Sequence, residues 1–285
     1  MTKVNVPPIK IQGIKTKLIP FIAKNIPEYS GRWIEPFLGS GVVLFNVLPD
    51  RAIVSDINPH LINFYKAVQS KHITSSIVRD FLNENGAELL KVGEDHYYNV
   101  RKRFNDTHSP LDFLFLNRSC FNGMIRFNSK GGFNVPFCRK PERFRQAYVT
   151  KIVNQIEYVS TVMSDKDWVF LHQDWRETVK SLLPDDFIYL DPPYVGRHAD
   201  YFNQWSDSDA DDLAKFLNET NSFFAYSMWK ENKYRKNIHL EEWFNGFPQV
   251  NQEHFYHLGA SEALRNSMIE TLVLDKKQVN SVNLP

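Results

Sequence analysis

The sequence predicts a mixed α/β fold, in which helices cover both faces of a mostly parallel β-sheet. The main observation is that apolar or β-rich runs alternate with helical patterns along much of the chain. Four such runs are followed at once by polar residues: Arg32 to Leu38, Ala52 to Val54, Trp168 to Leu171 and Phe187 to Leu190. Ligands of open parallel sheets bind beyond the carboxyl ends of the strands, so these polar residues mark the expected site.

The remaining patterns complete the sheet and define an insertion. Further elements are expected as strands at Phe223 to Ser227 and Ile269 to Leu274, and as helices near Asp207 to Leu217 and Lys230 to Ile238. The alternation stops between about Lys71 and Tyr148, where charged helical stretches lead into a hairpin pattern. We therefore expect residues 1–70 and 149–285 to form the sheet-containing domain and residues 71–148 to form an inserted domain.

The composition is that of an ordinary globular protein. The 285 residues are 42% hydrophobic, which is enough to build a large core. Lys and Arg number 34 against 33 for Asp and Glu, so any surface that binds nucleic acid has to be local. The chain has no signal-like start and no run of roughly 20 apolar residues, and we expect a cytoplasmic protein. Cys120 and Cys138 are too few for a disulfide framework.

The most informative motif follows the run Phe187 to Leu190. It consists of Asp191, Pro192, Pro193 and Tyr194. Two prolines cannot continue a strand ladder, so the backbone carbonyls there are free to accept hydrogen bonds from a ligand. With the Asp191 carboxylate they offer acceptors for both hydrogens of an exocyclic amino group, and Tyr194 offers a face for stacking. The motif indicates a reaction centre for a base flipped out of a duplex, the alternative being a plain Pro-Pro turn.

A second motif, Glu35-Pro36-Phe37-Leu38-Gly39-Ser40-Gly41, stands between a predicted strand and a helix. Glycines there permit a tight turn and a close approach of a ligand to the backbone. Asp56, at the end of the next strand, adds the acid that favours an adenosine pocket. The third glycine of a dinucleotide fingerprint is missing, which disfavours a nicotinamide enzyme.

The insertion contains a hairpin pattern within residues 121–140. Two Phe-Asn pairs flank the turn sequence Ser129-Lys130-Gly131-Gly132. Asn and Arg side chains read purine edges, and bulky apolar residues fill gaps in a base stack. From these residues alone, a DNA-recognition module and a solvated hairpin with locally packed aromatics are equally supported.

Taken together, the motifs resemble those of the Dam-like, alpha-group adenine-N6 DNA methyltransferases, which include the modification enzymes of restriction systems. The resemblance covers nearly the whole chain and rests on residues 35–41, 56–58, 122–128, 133–137 and 191–194, in the order cofactor motif, recognition insertion, catalytic motif. It implies a Rossmann-like methyltransferase fold in which residues 71–148 recognise the target. It also implies methyl transfer from S-adenosylmethionine to N6 of a flipped adenine in double-stranded DNA.

The resemblance assigns expected roles to individual residues. The expected catalytic residues are Asp191, Pro192, Pro193 and Tyr194. The expected cofactor residues are Lys15, Glu35, Phe37, Gly39, Ser40, Gly41, Asp56, Asp174 and Trp175. The expected DNA-binding residues are Lys10, Phe121, Asn122, Met124, Arg126, Asn128, Asn134, Pro136 and Arg139.

Several of these roles have structural alternatives. Lys15 is expected to pair with the cofactor carboxylate, although Ile11 and Ile14 depart from the family pattern beside it. A helix N-cap and a core aromatic are the alternatives for Asp174 and Trp175. The sequence Arg139-Lys140-Pro141 departs from the arm that is common among enzymes that read GATC, so the target is open.

Other activities remain possible at this point. Cytosine-N4 and RNA-adenine methyltransferases use a related turn, and a DNA-binding module without catalysis is the rival from another class. A cognate restriction endonuclease acting on the same site is a possible partner. No metal is expected, because His254 and His257 lack a third ligand. Residues Gly196-Arg197-His198 are expected either to touch the substrate or to form a solvated loop.

Overall fold

The computed structural model describes residues 3–195, 205–255 and 267–277. These residues form one sheet of seven strands: β1 Trp33–Glu35, β2 Arg51–Asp56, β3 Asp167–His172, β4 Phe187–Leu190, β5 Phe223–Asn232, β6 Gln249–Phe255 and β7 Ser267–Leu274. The spatial order is β3-β2-β1-β4-β5-β7-β6. Strands β1 to β5 run parallel, and β7 is antiparallel to both β5 and β6. The predicted fold class is therefore confirmed.

The strand order places a topological switch point at the centre of the sheet. From β1 the chain moves outward through β2 to β3, and it then returns to the other side of β1 to form β4. Loops that leave β1 and β4 diverge to opposite sides and leave a crevice between them. This crevice at the carboxyl ends is where ligands of such sheets bind.

Helices within the described residues are α1 Ile19–Lys24, α2 Leu44–Val47, α3 Pro59–Gln69, α4 Ser75–Val92, α5 Glu94–Thr107, α6 Pro110–Ser119, α7 Gln146–Ser164, α8 Trp175–Val179, α9 Asp207–Glu219 and α10 Ile238–Trp243. Local capping explains several starts. Thr74 accepts a hydrogen bond from the backbone of Ile77 at the start of α4, and Ser206 and Asp209 form a capping box at α9. None of these helices is long and apolar enough to cross a membrane.

The core lies on both faces of the sheet, and β4 shows why. Its alternating side chains divide between two buried clusters, with Phe187 and Tyr189 in one and Ile188 and Leu190 in the other. The first cluster continues from the sheet into the insertion, where it includes Phe104 and other aromatic residues. Residues 71–148 are therefore packed against the sheet-containing part through a continuous apolar interior.

The predicted hairpin is present between α6 and α7, in an irregular form. Antiparallel bridges join Cys120 to Phe137 and Phe127 to Phe133. The turn is closed by backbone hydrogen bonds from Asn128 to Gly132 and from Gly131 to Asn128, both 2.9 Å long. Because the backbone pairs only at separated points, no regular ladder forms between the two arms.

One predicted helix is wrong, and strand β6 and helices α1 and α7 were not predicted. The helix expected at Lys230 to Ile238 does not form, because β5 continues to Asn232 paired with β7, with a shift of register between Trp229 and Glu231, and the chain then turns back. The helix begins only at Ile238, after the Asn237 side chain caps it. Strand β6 escaped prediction because its first five residues, Gln249-Val250-Asn251-Gln252-Glu253, are mostly polar.

Candidate active site

A cleft of about 260 Å³ opens at the carboxyl ends of the central strands. It brings together twelve of the residues that the sequence singled out: Lys15, Glu35, Phe37, Gly39, Ser40, Asp56, Asp174, Trp175, Asp191, Pro192, Pro193 and Tyr194. These residues come from four different strand ends and from the segment before α1. The expected cofactor and catalytic groups therefore share one cavity.

The loop after β1 is shaped by two glycines in the left-handed region. Gly39 has φ +52°, and its backbone N–H donates to Asp56 Oδ2 at 2.9 Å. Gly41 has φ +71°, and a Cβ there would lie 2.9 Å from the buried ring of Phe45. Gly41 does not itself line the cleft, so it acts on the shape of the loop rather than on a ligand directly.

Asp56 is a buried carboxylate at the end of β2. It accepts backbone hydrogen bonds from Gly39 at 2.9 Å and from Asn58 at 2.8 Å. Burial raises the pKa of Asp56, and these two donors act in the opposite direction. Each carboxylate oxygen holds more than one acceptor site, so ligand hydroxyls can still bind there.

Asp174 and Trp175 occupy the start of α8 and also line the cleft. Asp174 caps the helix by accepting from the backbone of Arg176 at 2.9 Å, and Trp175 is 5% exposed within an apolar cluster. Both structural alternatives are therefore realised without excluding a ligand contact. The Trp175 indole nitrogen is buried and has no hydrogen-bond partner among the described residues.

The catalytic turn is tied to the segment before α1 by a buried polar network. Lys15 Nζ lies 3.2 Å from Asp191 Oδ1 and 3.6 Å from Glu270 Oε2. The same ammonium donates to Tyr194 Oη at 2.6 Å, and this hydroxyl donates to Glu270 Oε2 at 2.9 Å. In this structure Lys15 is engaged by side chains on the catalytic side of the cleft. Its expected contact with a cofactor carboxylate stays a prediction.

Burial dominates the electrostatics of this network. It raises the pKa of Asp191 to about 6, with Lys15 acting to lower it and Glu270 acting to raise it. Burial also raises the pKa of Glu35 to about 8. The indole N–H of Trp33 donates a hydrogen bond to Glu35 at 2.8 Å and acts to lower this pKa. At neutral pH Asp191 is therefore ionised and Glu35 is mostly protonated.

Three kinds of site residue were missed by sequence reasoning. Glu270 on β7 touches the catalytic turn, Trp205 and Asp209 line the cleft, and Ile125 of the hairpin reaches it. A signal existed for Glu270, because it is a single charge inside the apolar run Met268 to Leu274. No local pattern marks the other three.

The hairpin presents alternating exposed and buried faces. Its buried face consists of Gly123, Ile125, Phe127, Phe133, Val135 and Phe137. The expected DNA-binding side chains lie mainly on the exposed face, namely Phe121, Asn122, Arg126, Asn128, Pro136 and Arg139, with Met124 and Asn134 half-buried. Phe121 is 50% exposed, which is unusual for an aromatic residue of this size.

Two of these polar side chains are already engaged within the hairpin. Arg126 donates from Nε to Asn134 Oδ1 at 2.7 Å and from Nη2 to the Asn134 carbonyl at 3.2 Å. Asn128 Oδ1 accepts from the backbones of Lys130 and Gly132, at 3.0 Å each. Asn128 thus organises the turn, while Arg126 is oriented on the surface by its neighbour.

Lys10 lies in a basic cluster beside the hairpin, together with Arg118 and Arg143 around Tyr148. The Arg143 and Arg118 side chains donate to the Tyr148 hydroxyl at 3.1 and 3.4 Å, and Lys10 Nζ is 5.8 Å from the ring centre. Burial lowers the pKa of Lys10, and the neighbouring Arg118 lowers it further. Burial alone would raise the pKa of Tyr148, but the three cations bring it below its ordinary value.

Some predicted positions lie outside the described residues. These are Gly196-Arg197-His198, between β4 and α9, and His257, after β6. Among the residues that are described, no group of three or more His, Cys, Asp or Glu side chains is placed to hold a metal ion.

Comparison with known proteins places these observations in context. A sequence model of D12 class N6 adenine-specific DNA methyltransferases matches residues 12–258. The DNA adenine methylase of Haemophilus influenzae is 36% identical over 193 residues, which cover 66% of this chain and 64% of that protein. The chain thus spans slightly less than two thirds of the length of this relative.

Two further relatives align over more of their length. The DNA adenine methylase of Serratia marcescens is 32% identical over 225 residues, covering 74% of this chain and 77% of that protein. Type II methyltransferase M.MjaIII of Methanocaldococcus jannaschii is 30% identical over 248 residues, covering 79% and 75%. The family resemblance inferred from the motifs is thereby confirmed.

Proposed function

Because the chain belongs to the family of D12 class N6 adenine-specific DNA methyltransferases, we propose that it methylates N6 of adenine in double-stranded DNA. We further propose that the methyl donor is S-adenosylmethionine. The observation that carries this proposal is the single cleft that joins the Gly39 loop to the turn of Asp191 and Pro192. A donor pocket and acceptors for an amino group lie within reach of one another.

The cleft has the chemistry that S-adenosylmethionine requires. The rings of Phe37 and Trp175 line the cleft and offer apolar surface for a purine ring, and Asp56 offers acceptors for ribose hydroxyls. The open backbone at Gly39 and Ser40 permits close approach of the sulfonium end. When bound, this cofactor supplies a methyl group that is activated for transfer. We also assign Glu35, Asp174 and Lys15 to its pocket.

Asp191 and the Pro192 carbonyl would hold the amino group of the target base by its two hydrogens. Within the described residues, the Pro192 carbonyl accepts no backbone hydrogen bond, which leaves it available. Two acceptors fixed in advance localise the lone pair on nitrogen at low reorganisation cost. Tyr194, whose hydroxyl is held by Lys15 and Glu270, would stack on the base. Pro193 keeps the turn rigid.

The hairpin and the Lys10 cluster would bind the DNA. The proposed target-recognition domain is residues 71–148, inserted into a methyltransferase domain of residues 1–70 and 149–285. Ile125 of the hairpin lines the cleft. Phe121, which is exposed, and Met124 would fill the gap that a flipped base leaves in the duplex. Arg126 and Asn122 would bind base edges, and Arg139 and Lys10 would contact the phosphate backbone of the DNA.

A role in restriction-modification is part of the proposal. One relative is named a type II methyltransferase and another, from Streptococcus sanguinis, a modification methylase. By analogy, a restriction endonuclease that acts on the same site would be the functional partner, without any need for contact. Sequencing of modified bases in cells that express the protein gives the motif that such an endonuclease would have to cut when it is unmethylated.

The proposed activity is tested by incubating the protein with unmethylated DNA and S-adenosylmethionine labelled in its methyl group. Digestion to nucleosides should yield labelled N6-methyladenine. Asp191→Ala should lower the rate by about 100-fold to 1000-fold while cofactor and DNA binding persist, because the lost acceptor matters most in the transition state. Asp211→Ala, which changes an exposed carboxylate on α9, is the matched control.

Other products would contradict the proposal. Labelled N4-methylcytosine would identify a cytosine enzyme, and preferential labelling of RNA would identify an RNA methyltransferase. DNA binding without any transfer would identify a binding module. An Asp191→Ala variant with the wild-type rate would remove Asp191 from the reaction.

A further inference from the structure

Glu270 is a buried charge that the proposed mechanism does not yet use. It lies on β7 opposite Trp229 of β5 and Gln252 of β6, and it is 1% exposed. A carboxylate in the middle of a sheet is costly to bury unless it is paired. Here it is paired with the two residues that hold the catalytic turn, Lys15 and Tyr194.

The hydrogen bonds in this network have only one possible direction. An ammonium group has no acceptor, so the Tyr194 hydroxyl accepts from Lys15 at 2.6 Å and must donate its own proton elsewhere. That proton goes to Glu270 Oε2 at 2.9 Å. Glu270 therefore determines the orientation of the hydroxyl and, through it, of the ring that would stack on the base.

Glu270 also competes for the Lys15 ammonium. Lys15 Nζ lies 3.2 Å from Asp191 Oδ1 and 3.6 Å from Glu270 Oε2, so one cation is shared between two carboxylates. Without Glu270, Asp191 would no longer share the Lys15 charge with this second carboxylate. Lys15 would then pair more closely with Asp191, the carboxylate that has to accept a hydrogen bond from the amino group of the base.

We propose that Glu270 is a positioning residue of methyl transfer: it orients Tyr194 and draws Lys15 away from Asp191, so that Asp191 stays available to the target base. This inference rests on the proposed function. Glu270 acts through Lys15 and Tyr194 and needs no contact with the substrate.

The proposal has a consequence for pH dependence. Within the part of the chain that the structure describes, the titratable groups that interact with Asp191 are Lys15, Glu35, Tyr189, Tyr226 and Glu270, with Tyr194 bridging the last to Lys15. Burial raises the pKa of Asp191 to about 6, Lys15 lowers it and Glu270 raises it. Activity should fall as pH drops through this value, because protonation removes the acceptor. Removing the Glu270 charge should move this fall to lower pH.

The experiment measures kcat/KM for methylation of DNA between pH 5 and pH 8, since its pH dependence reports groups of the free enzyme. In wild type the acidic limb should lie near pH 6, as set by Asp191. In Glu270→Gln it should move down by about half a unit or more, because a like charge has gone. Its kcat at pH 8 should fall by about tenfold as Tyr194 loses its fixed orientation.

Two further variants separate charge from geometry. Glu270→Asp keeps the charge but shortens the reach to Tyr194, so it should keep the wild-type acidic limb and lose kcat. Glu253→Gln, an exposed neighbour on β6, should match wild type in both quantities. Affinity for S-adenosylmethionine is measured in parallel, and rates are compared at saturating cofactor, because Lys15 is also assigned to the cofactor pocket.

The outcomes distinguish this inference from the proposed function. If wild type and Glu253→Gln do not methylate DNA, the proposed function fails. If both are active and folded Glu270→Gln keeps the wild-type acidic limb, only the role of Glu270 is overturned. If Glu270→Gln does not fold, Glu270→Asp decides, and a wild-type kcat overturns the proposal. Loss of folding in both variants would assign Glu270 to the sheet alone and also overturn it.

Discussion

Single residues set the electrostatic character of the site. Asp191 and Glu270 come from different strands, yet both lie close to one ammonium, that of Lys15, and Glu35 interacts electrostatically with Asp191. Burial favours the protonated forms of Glu35 and Asp191, and Lys15 opposes this effect at Asp191. As a consequence, Asp191 is charged at neutral pH, whereas Glu35 is mostly protonated and neutral.

The neutral Glu35 leads to a prediction about stability and pH. Burial raises its folded-state pKa to about 8 from an ordinary value of 4.5. As pH rises between these values, the unfolded chain gives up the proton while the folded chain keeps it, so the free energy of unfolding falls. Glu35→Gln removes this loss. The melting temperature of Glu35→Gln relative to wild type should therefore rise steadily from pH 5 to pH 8.

Thermal melts of both proteins at matched ionic strength test this prediction. The expected change across the range is on the order of a few kcal/mol, since the carboxyl group is fully buried. Glu28→Gln, which alters an exposed carboxylate, should show a difference from wild type that is independent of pH. A constant offset for Glu35→Gln as well would mean that Glu35 is ionised in the folded protein.

At the scale of elements, the loop after β1 depends on two glycines with different constraints. Gly41→Ala should destabilise the protein by about 1–3 kcal/mol, because φ is +71° and the new Cβ would meet Phe45 at 2.9 Å. In Gly39→Ala the new Cβ would contact only the side chain of Ile11, at 3.7 Å, so the free energy of unfolding should fall by about 1 kcal/mol. Urea unfolding measures both. Equal costs would mean that the Phe45 ring can move aside.

The hairpin is the element expected to read sequence. Arg126 is exposed and oriented by Asn134, which suits bidentate contact with guanine. Arg126→Ala should cost about 1–3 kcal/mol at one base pair of the target and relax preference there. Affinities for duplexes that differ by single base pairs, measured at two salt concentrations, provide the test.

A lysine at the tip of the same hairpin supplies the control. Lys130→Ala should weaken binding to all duplexes evenly and reduce the salt slope by about one counterion, as a phosphate contact would. If Arg126→Ala behaved in this way too, its role as a base reader would be refuted. Lys130 is exposed and its side chain can be removed without a loss of packing.

At the scale of the whole molecule, the insertion and the sheet share one apolar interior. His60, at the start of α3, stacks on Phe127 at 5.0 Å and meets Phe104 edge-on at 4.9 Å, so three separate elements converge there. Such continuity opposes independent unfolding of residues 71–148. We expect one cooperative transition for the free protein.

The tryptophans make this expectation testable, because all six lie outside residues 71–148. Phe104→Ala, a change within the insertion, should destabilise by about 3–5 kcal/mol. It should shift the transition seen by tryptophan fluorescence as much as that seen by far-UV circular dichroism. Phe45→Ala, on the sheet side, is the matched variant. If Phe104→Ala left the midpoint of the fluorescence transition unchanged while the circular dichroism transition shifted, residues 71–148 would unfold independently of the sheet.

Local patterns were sufficient to predict most of the sheet. Strand β4 was predicted with its observed bounds, and β1, β2 and β3 were found because each carries its own apolar run before a polar turn. The last residues of β5, Lys230 to Asn232, were mistaken for the start of a helix because their strand conformation comes only from pairing with β7. Pairing between distant segments has no local signature.

The same distinction applies to the candidate site. The chemistry of the two motifs follows from local sequence, since Gly39, Asp191 and Tyr194 each act through backbone or side-chain properties that their neighbours along the chain define. Which distant side chains contact them depends on the fold. The antiparallel placement of β7 beside β5 brings Glu270 to Lys15 and Tyr194, across a separation of more than 70 residues from the latter. A buried charge becomes tolerable only when distant parts of the chain supply its partners, so its role is visible only in the fold.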